Sequence, residues 1–326
     1  MSHYAVEIDP TNLNTSHAQV IDLIGDAHHV LDVGCWAGDL GRVLIDRGCR
    51  VSGFELDAEA AAIAAEHLES VVVGDLDAAP LSGHFEAGTF DAIIFADVLE
   101  HVMDPVGVLA DSARLLAPGG RIVISIPNVT HGSLRLALLQ GRWRTTDTGL
   151  LDRTHIRFYS REGLLQMVAD AGLVTEALRG TTADPLGVEV DVDPHDLPPG
   201  TLAWVRTQPD AMVYQFQLAV RPPREGEEPT VPELVVGTDP RWVRPGPAAE
   251  RVMTAAWRAE LVERDRIIGL ESAADAATAE TRRLQGMVKR LREQIRELEQ
   301  KKAVPARTSG ALRRTAGRVR RRLRRR

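Results

Sequence analysis

The sequence VLDVGCWAGDLG at residues 30–41 indicates a buried strand, a glycine-containing turn and the start of a helix. The apolar run ends around Asp32, and Gly34 and Gly38 flank the turn. Glycines allow a chain to turn sharply and allow a ligand to approach the backbone. A dinucleotide site would require a further glycine where Trp36 stands, and the two aspartates of this stretch would repel phosphate groups. The turn therefore suits a cationic ligand better than a pyrophosphate.

The surrounding sequence alternates between apolar runs and helix-like segments. One such segment, 57–69, opens with Asp57 at a position typical of a helix N-cap. The apolar runs occupy residues 30–33, 50–54, 71–73, 90–95 and 121–126. They are nearly continuous in Val, Ile and Phe, which predicts parallel strands covered on both faces and hence a doubly wound α/β domain. The run 211–220 alternates instead, and we expect its face with Gln215 and Gln217 to be wetter.

Acidic residues follow three of the predicted strands. Glu55 stands 21 residues after Gly34, where a carboxylate can accept both hydroxyls of a ribose. Asp75 and Asp97 close the third and fourth strands. Because ligands of an open parallel sheet bind at the carboxyl ends of its strands, we expect these side chains to converge on one crevice. A nucleoside that carries a positive charge suits such a crevice.

Class I S-adenosylmethionine (SAM)-dependent methyltransferases have motifs that resemble, in the same order, DVGCWAG, FELD, VVVGDLD, FDAIIFADVLEHVMDP and LLAPGGRIVISIPN within residues 28–128. The resemblance implies an α/β, Rossmann-like, seven-stranded sheet whose last strand is antiparallel. Residues 127–178 are similar to bacterial methyltransferases of the quinone O-methylating type, which are often associated with glycan or O-antigen biosynthesis.

The resemblance also implies which residues bind the cofactor, SAM. They are Asp32, Gly34 and Gly38 at the methionine end, Glu55 at the ribose hydroxyls, Asp75 and Leu76 at the adenine, and Asp97 against the cofactor beneath the acceptor. Asp39 has two interpretations, a ligand of the cofactor or a helix N-cap.

Methylation of a hydroxyl requires a base, because the pKa of a hydroxyl lies far above 7. His101 follows the fourth strand, and His155 lies in the polar, Arg-rich segment 141–160, which is placed like a lid. We predict these two as catalytic residues and favour His155; the alternative is that each only packs and hydrogen-bonds locally. Glu100 beside His101 does not by itself define a metal site, and we predict none.

The counts and the N-terminal sequence predict a cytoplasmic protein. The chain has 326 residues, 44% hydrophobic and 26% charged, which is ordinary for a globular protein with a full-sized core. Cys35 and Cys49 form no CxxC pair, which fits a reducing compartment. The sequence MSHYAVEIDP lacks a signal-peptide pattern, and no apolar run approaches the roughly 18 residues that span a bilayer.

The sequence divides into four predicted parts. They are a methyltransferase domain at 1–221, a Pro/Gly-rich linker at 222–250, a coiled-coil helix at 251–304 and an Arg-rich tail at 305–326. From Ile267 to Leu298, apolar or small residues recur at alternating spacings of three and four, a heptad pattern that favours a parallel homodimer. The alternative is a single amphipathic helix folded back on the domain.

The tail holds ten arginines and no acidic residue within 307–326, although the whole chain has a net charge of −7. Leu312, Ala316, Val319 and Leu323 share one helical face. A basic amphipathic helix favours binding to an anionic membrane surface, peripheral to the inner face of the plasma membrane. A solvated tail and non-specific nucleic-acid binding are the alternatives.

These observations leave three functional hypotheses. The first is O-methylation of a sugar or glycan intermediate at the membrane surface, that is, a role in polysaccharide biosynthesis. The second is O-methylation of a small molecule, either a quinone or a secondary metabolite. Its acceptor pocket would be apolar, and the Arg-dense lid argues against such a pocket. The third is a non-catalytic SAM-binding scaffold. Nucleic-acid methylation fits poorly, because the acidic body would repel phosphates and FADVLE stands where a base-flipping NPPY-like motif would lie.

Overall fold

A computed structural model of the protein describes residues 8–198, 200–237 and 247–303. Its eight strands are β1 (His29–Val33), β2 (Arg50–Glu55), β3 (Ser70–Val73), β4 (Phe90–Ala96), β5 (Leu116–Pro127), β6 (Val174–Thr182), β7 (Val213–Arg221) and β8 (Leu234–Val236). They form one sheet in the order β3-β2-β1-β4-β5-β7-β6-β8. The α-helices are α1 (Ser16–Leu23), α2 (Asp39–Asp46), α3 (Ala58–Ala64), α4 (Pro105–Ser112), α5 (Gly132–Leu139), α6 (Arg161–Asp170), α7 (Thr201–Arg206) and α8 (Pro247–Ala303).

The sheet confirms the predicted α/β Rossmann-like architecture. Strands β1 to β5 pair in parallel, and β7 is antiparallel to both of its neighbours, β5 and β6. The structure adds one strand that the sequence analysis did not predict. Residues 234–236, within the predicted linker, form β8 and pair in parallel with β6.

The apolar runs are continuous because alternate residues of each strand pack into two hydrophobic clusters, one on each face of the sheet. On one face, Leu31 and Phe95 pack with the apolar residues of α4 and α6. On the other face, Val30 and Ile94 pack with those of α1 and α2. Burial on both faces is what the sequence pattern of parallel strands predicts.

Side chains at the helix starts orient the loops around the sheet edge. The side chains of Thr15, Asp57, Asp104 and Ser160 each accept a backbone N–H of the first turn of α1, α3, α4 and α6, respectively. The N-cap predicted at Asp57 is confirmed. These caps satisfy N–H groups that a helix leaves unpaired at its start.

The chain divides into two units after Gly269, and the described part of the second unit is the C-terminal part of α8, residues 270–303. Its heptad residues that the structure describes in side-chain detail, from Leu270 to Ile295, are exposed. The predicted tail, 305–326, lies outside the described residues. Within the described part of the chain, no helix is both long enough and apolar enough to cross a membrane.

Candidate active site

The turn after β1 depends on its two glycines. Gly34 has a φ of +74° and Gly38 a φ of +79°, values that residues with a Cβ rarely adopt. A Cβ on Gly34 would lie 2.6 Å from Cγ2 of Val98, and one on Gly38 would lie 3.3 Å from Cα of Ala64. The Gly34 N–H donates to the carbonyl of Phe54 at 2.7 Å and ties the turn to β2. The tight turn expected from the sequence is therefore present and closely packed.

Glu55 holds this turn from the neighbouring strand. The residue is only 6% exposed. Its Oε2 accepts the Trp36 N–H and its Oε1 accepts the Asp57 N–H, both at 2.8 Å. A carboxylate oxygen can accept more than one hydrogen bond. Glu55 therefore links the turn to the start of α3 and retains acceptor capacity for a ligand.

Asp32 is the second buried carboxyl at this strand edge. Burial, and secondly the charge of Glu55, raises the pKa of Asp32 to about 7. A nearby cation favours the charged form of such a group, so Asp32 is suited to a positively charged ligand. The N-cap interpretation of Asp39 is wrong, because Gly38 occupies the N-cap of α2 and Asp39 pairs with Arg42.

The end of β3 carries the two residues predicted to border an adenine. Val73 lies opposite Glu55 in the sheet, so Asp75 follows β3 at the same edge as the glycine turn. Asp75 is exposed, and its Oδ1 accepts the Asp77 N–H at 2.9 Å. Leu76 is partly buried and packs against the main core. One polar and one apolar side chain thus stand side by side at this strand end.

Asp97 follows β4 in a left-handed conformation, with a φ of +56°. Its Oδ1 accepts a hydrogen bond from Nε2 of Gln215 at 2.5 Å. Solvent reaches Asp97 at the strand edge, yet the surrounding protein desolvates the carboxyl and raises its pKa, against the effect of the Gln215 hydrogen bond. The expectation of a wetter glutamine face on β7 is wrong, since Gln215 and Gln217 are 7% and 0% exposed. Both donate to Ser125 Oγ and form a buried polar row beneath Asp97.

The two predicted catalytic histidines contact each other. His101 ends a short 3₁₀ turn after β4, and its ring lies edge-on to that of His155 with centroids 4.8 Å apart. Nδ1 of His101 is 3.1 Å from the carbonyl oxygen of Thr154. The Glu100 carbonyl accepts the N–H groups of Ile156 and Arg157 at 3.0 and 3.1 Å. These backbone bonds fasten the lid, residues 141–160, to the end of β4.

The protonation of this cluster follows from its burial. Burial, and secondly the proximity of His101, lowers the pKa of His155, which keeps its ring neutral at pH 7. Burial, and secondly the charge of Asp97, raises the pKa of Glu100 well above its usual range. Burial would also raise the pKa of Asp152, but two hydrogen bonds from Thr154, followed by the electrostatic effect of His155 and His101, outweigh burial, and the pKa is lowered. A neutral, buried imidazole is competent to accept a proton.

The lid is less cationic and more apolar than its sequence suggested. Arg153 pairs with Asp147, and the Arg157 guanidinium donates to the carbonyls of Val102 and Met103. Four apolar side chains near the histidines, here called the apolar rim, are 40–64% exposed: Met103, Trp143, Ile156 and Phe158. Trp143 and Phe158 form an edge-to-face pair with centroids 5.6 Å apart, and Phe158 also contacts the His155 ring.

Two residues of the site were not predicted from the sequence. Glu100 was set aside because two adjacent residues do not define a metal site, and nothing in the sequence shows that its side chain is buried. Gln215 was visible as a polar residue in an apolar strand, but its hydrogen bond to Asp97 spans 118 positions. Only the antiparallel pairing of β7 with β5 brings the two together.

Comparisons with known proteins agree with this geometry. A family model described as a methyltransferase domain matches residues 13–178, just over half of the chain. A ubiquinone biosynthesis O-methyltransferase of Thiobacillus denitrificans is 35% identical over 173 residues, which cover 50% of this chain and 74% of that protein. The protein of the same name from Sodalis glossinidius is 32% identical over 176 residues, which cover 51% and 70% of the two chains.

A SAM-dependent methyltransferase from Archaeoglobus fulgidus superposes with a TM-score of 0.46 at 14% identity, covering 64% of this chain and 91% of that one. The family assignment rests on the sequence matches. The chain belongs to the family of methyltransferase domains and is a class I SAM-dependent methyltransferase.

Proposed function

We propose that this enzyme methylates a hydroxyl group of an apolar small molecule. The observation that carries the proposal is the position of His155, whose ring contacts His101 on one side and Phe158 of the apolar rim on another. A proton acceptor thus lies beside exposed apolar surface at the cofactor edge of the sheet. Exposed apolar patches next to a polar reactive group are typical of binding sites for apolar ligands.

The residues at the strand ends fit SAM. The buried carboxyls of Asp32 and Glu55 match a ligand with a positive charge and ribose hydroxyls, and the glycine turn leaves no side chain between ligand and backbone. Asp32, Gly34 and Gly38 would hold the methionine end and Glu55 the ribose. Asp75 and Leu76 would flank the adenine, and Asp97 would lie beneath the acceptor. When bound, SAM supplies an activated methyl group on its sulfonium.

The chain itself has to align the acceptor, exclude water and remove a proton. The lid is attached to β4 through the Glu100 carbonyl, so its closure and the placement of His155 are linked. A hydroxyl loses its proton as it is methylated, and the neutral imidazole of His155 is placed to accept it. His101 donates a hydrogen bond to the Thr154 carbonyl and so orients the pair.

The acceptor class is supported by two observations. The relatives named above carry names that specify O-methylation in ubiquinone biosynthesis, which favours a quinone-type small molecule over the glycan placed first in the sequence analysis. The apolar rim points in the same direction. Two arginines of the lid that had counted against an apolar acceptor are engaged, Arg153 with Asp147 and Arg157 with backbone carbonyls.

The test is methyl transfer from labelled SAM into an extract of a strain that lacks this protein, separated into lipid and small-molecule, glycan, protein and nucleic-acid fractions. We expect label in an apolar small molecule or lipid-soluble fraction. Label in glycan would restore the first hypothesis of the sequence analysis. SAM binding without label in any fraction would indicate a non-catalytic scaffold and refute the proposal.

We further propose that α8 forms a parallel homodimer. The heptad residues Leu284, Val288, Leu291 and Ile295 are 45–55% exposed, and burial against a second copy would remove this apolar surface from water. Light scattering of the full chain should give twice the chain mass. Replacement of Leu284 and Leu291 by Asp should give the monomer mass, whereas replacement of the adjacent exposed Arg283 by Asp should not.

The Arg-rich tail is proposed, from its sequence, to bind an anionic membrane surface and so hold a cytoplasmic enzyme close to apolar substrates. Full-length protein should float with vesicles that contain anionic lipid, and a chain that ends at residue 304 should not, although both bind SAM. Equal flotation of the two forms would remove this proposal. Retention of the full chain by DNA alone would replace it with nucleic-acid binding.

A further inference from the structure

We propose that Glu189 is a positioning residue that holds the lid, and with it the ring of His155, in the place that catalysis requires. Glu189 lies in the segment 183–212 between β6 and β7, here called the insertion. The insertion follows the residues that the methyltransferase family model matches, which end at residue 178. The effect of Glu189 on catalysis rests on the proposed role of His155 as a base, but the positioning of the ring does not.

The lid and the insertion carry opposite charges where they meet. Arg142 of the lid pairs with Asp191 and Asp196 of the insertion, at 3.6 and 3.5 Å. Arg144 of the lid also pairs with Asp191, at 3.5 Å. Ion pairs at a protein surface each contribute little to stability. These pairs bring the two segments together, but they do not fix one segment at a defined position on the other.

Glu189 makes a more specific contact through both of its carboxyl oxygens. Oε1 accepts the N–H of Leu150 in the lid at 2.6 Å, and both oxygens lie 3.0 Å from the Tyr214 hydroxyl on β7. Leu150 is 1% exposed and packs with Leu151 of the lid and Leu134 of α5. The main-chain N–H of a buried residue needs an acceptor, and Glu189 supplies one. The carboxylate thus joins the lid to the sheet.

The contact depends on the glycine that precedes Leu150. Gly149 has a φ of +89°, and a Cβ at this position would contact Oε1 of Glu189. A residue without a Cβ adopts this conformation at no steric cost and leaves room for the carboxylate. The glycine in the lid and the glutamate in the insertion therefore fit each other.

Leu150 passes its position on to the ring of His155. Burial lowers the pKa of His155, and a hydrogen bond from its ring to the Leu150 carbonyl acts in the opposite direction. The chain between the two residues is held in turns, because the Asp152 N–H donates to the Gly149 carbonyl at 3.2 Å and the His155 N–H to the Asp152 carbonyl at 3.1 Å. A displacement of Leu150 therefore displaces the ring.

The carbonyl also determines which nitrogen of the ring carries the hydrogen. A carbonyl oxygen can only accept, so the ring nitrogen that faces it must be the N–H, and the other nitrogen keeps its lone pair. A general base needs that lone pair directed at the acceptor hydroxyl. Without the Glu189 contact, both tautomers of His155 become accessible, and only part of the protein presents the base.

A second role for Glu189 has to be distinguished from this one. Together with Asn14, Thr182 and Tyr214, it lines a cavity of about 420 Å³ at the ends of β6 and β7. In this position, Glu189 would contact an acceptor directly. The two roles differ in the protein without acceptor: a positioning residue changes the His155 ring, and a residue that only binds the acceptor leaves the ring as it is.

The test is the NMR signal of the His155 ring in full-length protein, isotope-labelled at histidine, without acceptor. The signal is assigned by its absence from His155→Asn. At about pH 8, where histidine is neutral, we expect one tautomer in the wild type and both tautomers in Glu189→Ala. Glu189→Gln should keep one tautomer, because its amide oxygen still accepts the Leu150 N–H. Glu228→Ala, at an exposed glutamate after β7, is the matched control and should resemble the wild type.

Methyl transfer from labelled SAM into an extract of a strain that lacks this protein gives the second measurement. The rate should fall by up to about 100-fold in Glu189→Ala, which is the effect of misplacing a catalytic group by about 1 Å. Glu189→Gln should retain most of the wild-type rate. Calorimetry should give the same affinity for SAM in every form, which also shows that the variants are folded.

Two outcomes would overturn the proposal. One is a wild-type His155 ring that populates both tautomers, a result that needs no variant to fold. The other is a ring that is the same in Glu189→Ala as in Glu228→Ala; a slower transfer in Glu189→Ala would then assign Glu189 to acceptor binding, and normal transfer would leave the proposed function intact. A ring that depends on Glu189 in a protein that methylates no fraction would support the positioning and refute the proposed function.

Discussion

Replacement of Glu55 tests the assignment of the SAM-binding residues, because its buried carboxylate has two defined hydrogen-bond partners and a predicted ligand contact. Glu55→Ala removes a carboxylate that accepts the N–H groups of Trp36 and Asp57 and is predicted to accept two ribose hydroxyls. Hydrogen bonds to a charged group contribute about 1.5–3 kcal/mol each. Allowing for water that partly replaces the lost bonds, we expect SAM binding to weaken by about 3 kcal/mol, or about 100-fold. Glu55→Gln keeps one acceptor oxygen and should lose about 10-fold.

The same substitution should also affect the fold, because the turn after β1 loses its anchor. Leaving the two N–H groups without their partner costs about 1–3 kcal/mol of unfolding free energy. Calorimetry measures the affinity for SAM, and urea unfolding without SAM measures the stability. Glu66→Ala, at an exposed glutamate just beyond α3, is the matched control. SAM affinity that is equal in Glu55→Ala and Glu66→Ala, with both proteins folded, would refute the assignment of Glu55.

Three further predictions follow from the site. The pKa of Asp32 is about 7 in the folded protein and 3.8 in the unfolded chain, so the SAM-free protein should lose up to about 4 kcal/mol of stability as the pH rises from 4 to 7. Urea unfolding at a series of pH values measures this loss, and Asp32→Asn should reduce it. An equal pH dependence in the wild type and in Asp32→Asn would contradict the prediction. Gly34→Ala should lower the Tm for two reasons: alanine in a left-handed conformation costs about 1–2 kcal/mol, and its Cβ would clash with Val98. The double variant Gly34→Ala, Val98→Ala should regain only the part of the Tm that the clash removes. As the general base, His155 must be neutral, and because its pKa is lowered, kcat should fall only at pH values below 6.5. His155→Asn should reduce kcat about 10²–10⁴-fold and remove this decrease at low pH. A decrease of kcat at low pH that persists in His155→Asn would have to come from another group.

The sequence predicted the strands because parallel strands have an unmistakable composition. Residues on both faces of β1 and β4 are buried, so both strands are rich in apolar residues, and an acidic residue lies near the end of each, Asp32 within β1 and Asp97 after β4. The glycine turn was predicted for the same reason, since few other patterns contain two glycines at a strand-to-helix junction. Such features are local in sequence.

Features that depend on distant residues were missed or misjudged. Gln215 and Gln217 were expected to face water because they are polar, but β7 lies between β5 and β6 and its glutamines pair with Ser125. Strand β8 has only three residues and lies in a Pro-rich segment, so its composition gave no signal. The Arg-dense lid was expected to suit an apolar acceptor poorly, but Arg153 pairs with Asp147 of the lid and Arg157 with backbone carbonyls after β4.

Glu100 illustrates why the role of a residue in the folded site could not be read from the sequence. Its main chain and its side chain serve separate purposes: the carbonyl accepts the N–H groups of Ile156 and Arg157, while the buried carboxyl lies 3.9 Å from Nε2 of His155. A substitution at position 100 removes the carboxyl and keeps the carbonyl, so the attachment of the lid should survive it. The contact between His101 and His155 depends on that attachment, and both rings should therefore remain in place in Glu100→Gln. Any change in catalysis in Glu100→Gln can then be ascribed to the carboxyl group alone, whose two oxygens have no hydrogen-bond partner among the residues that the structure describes.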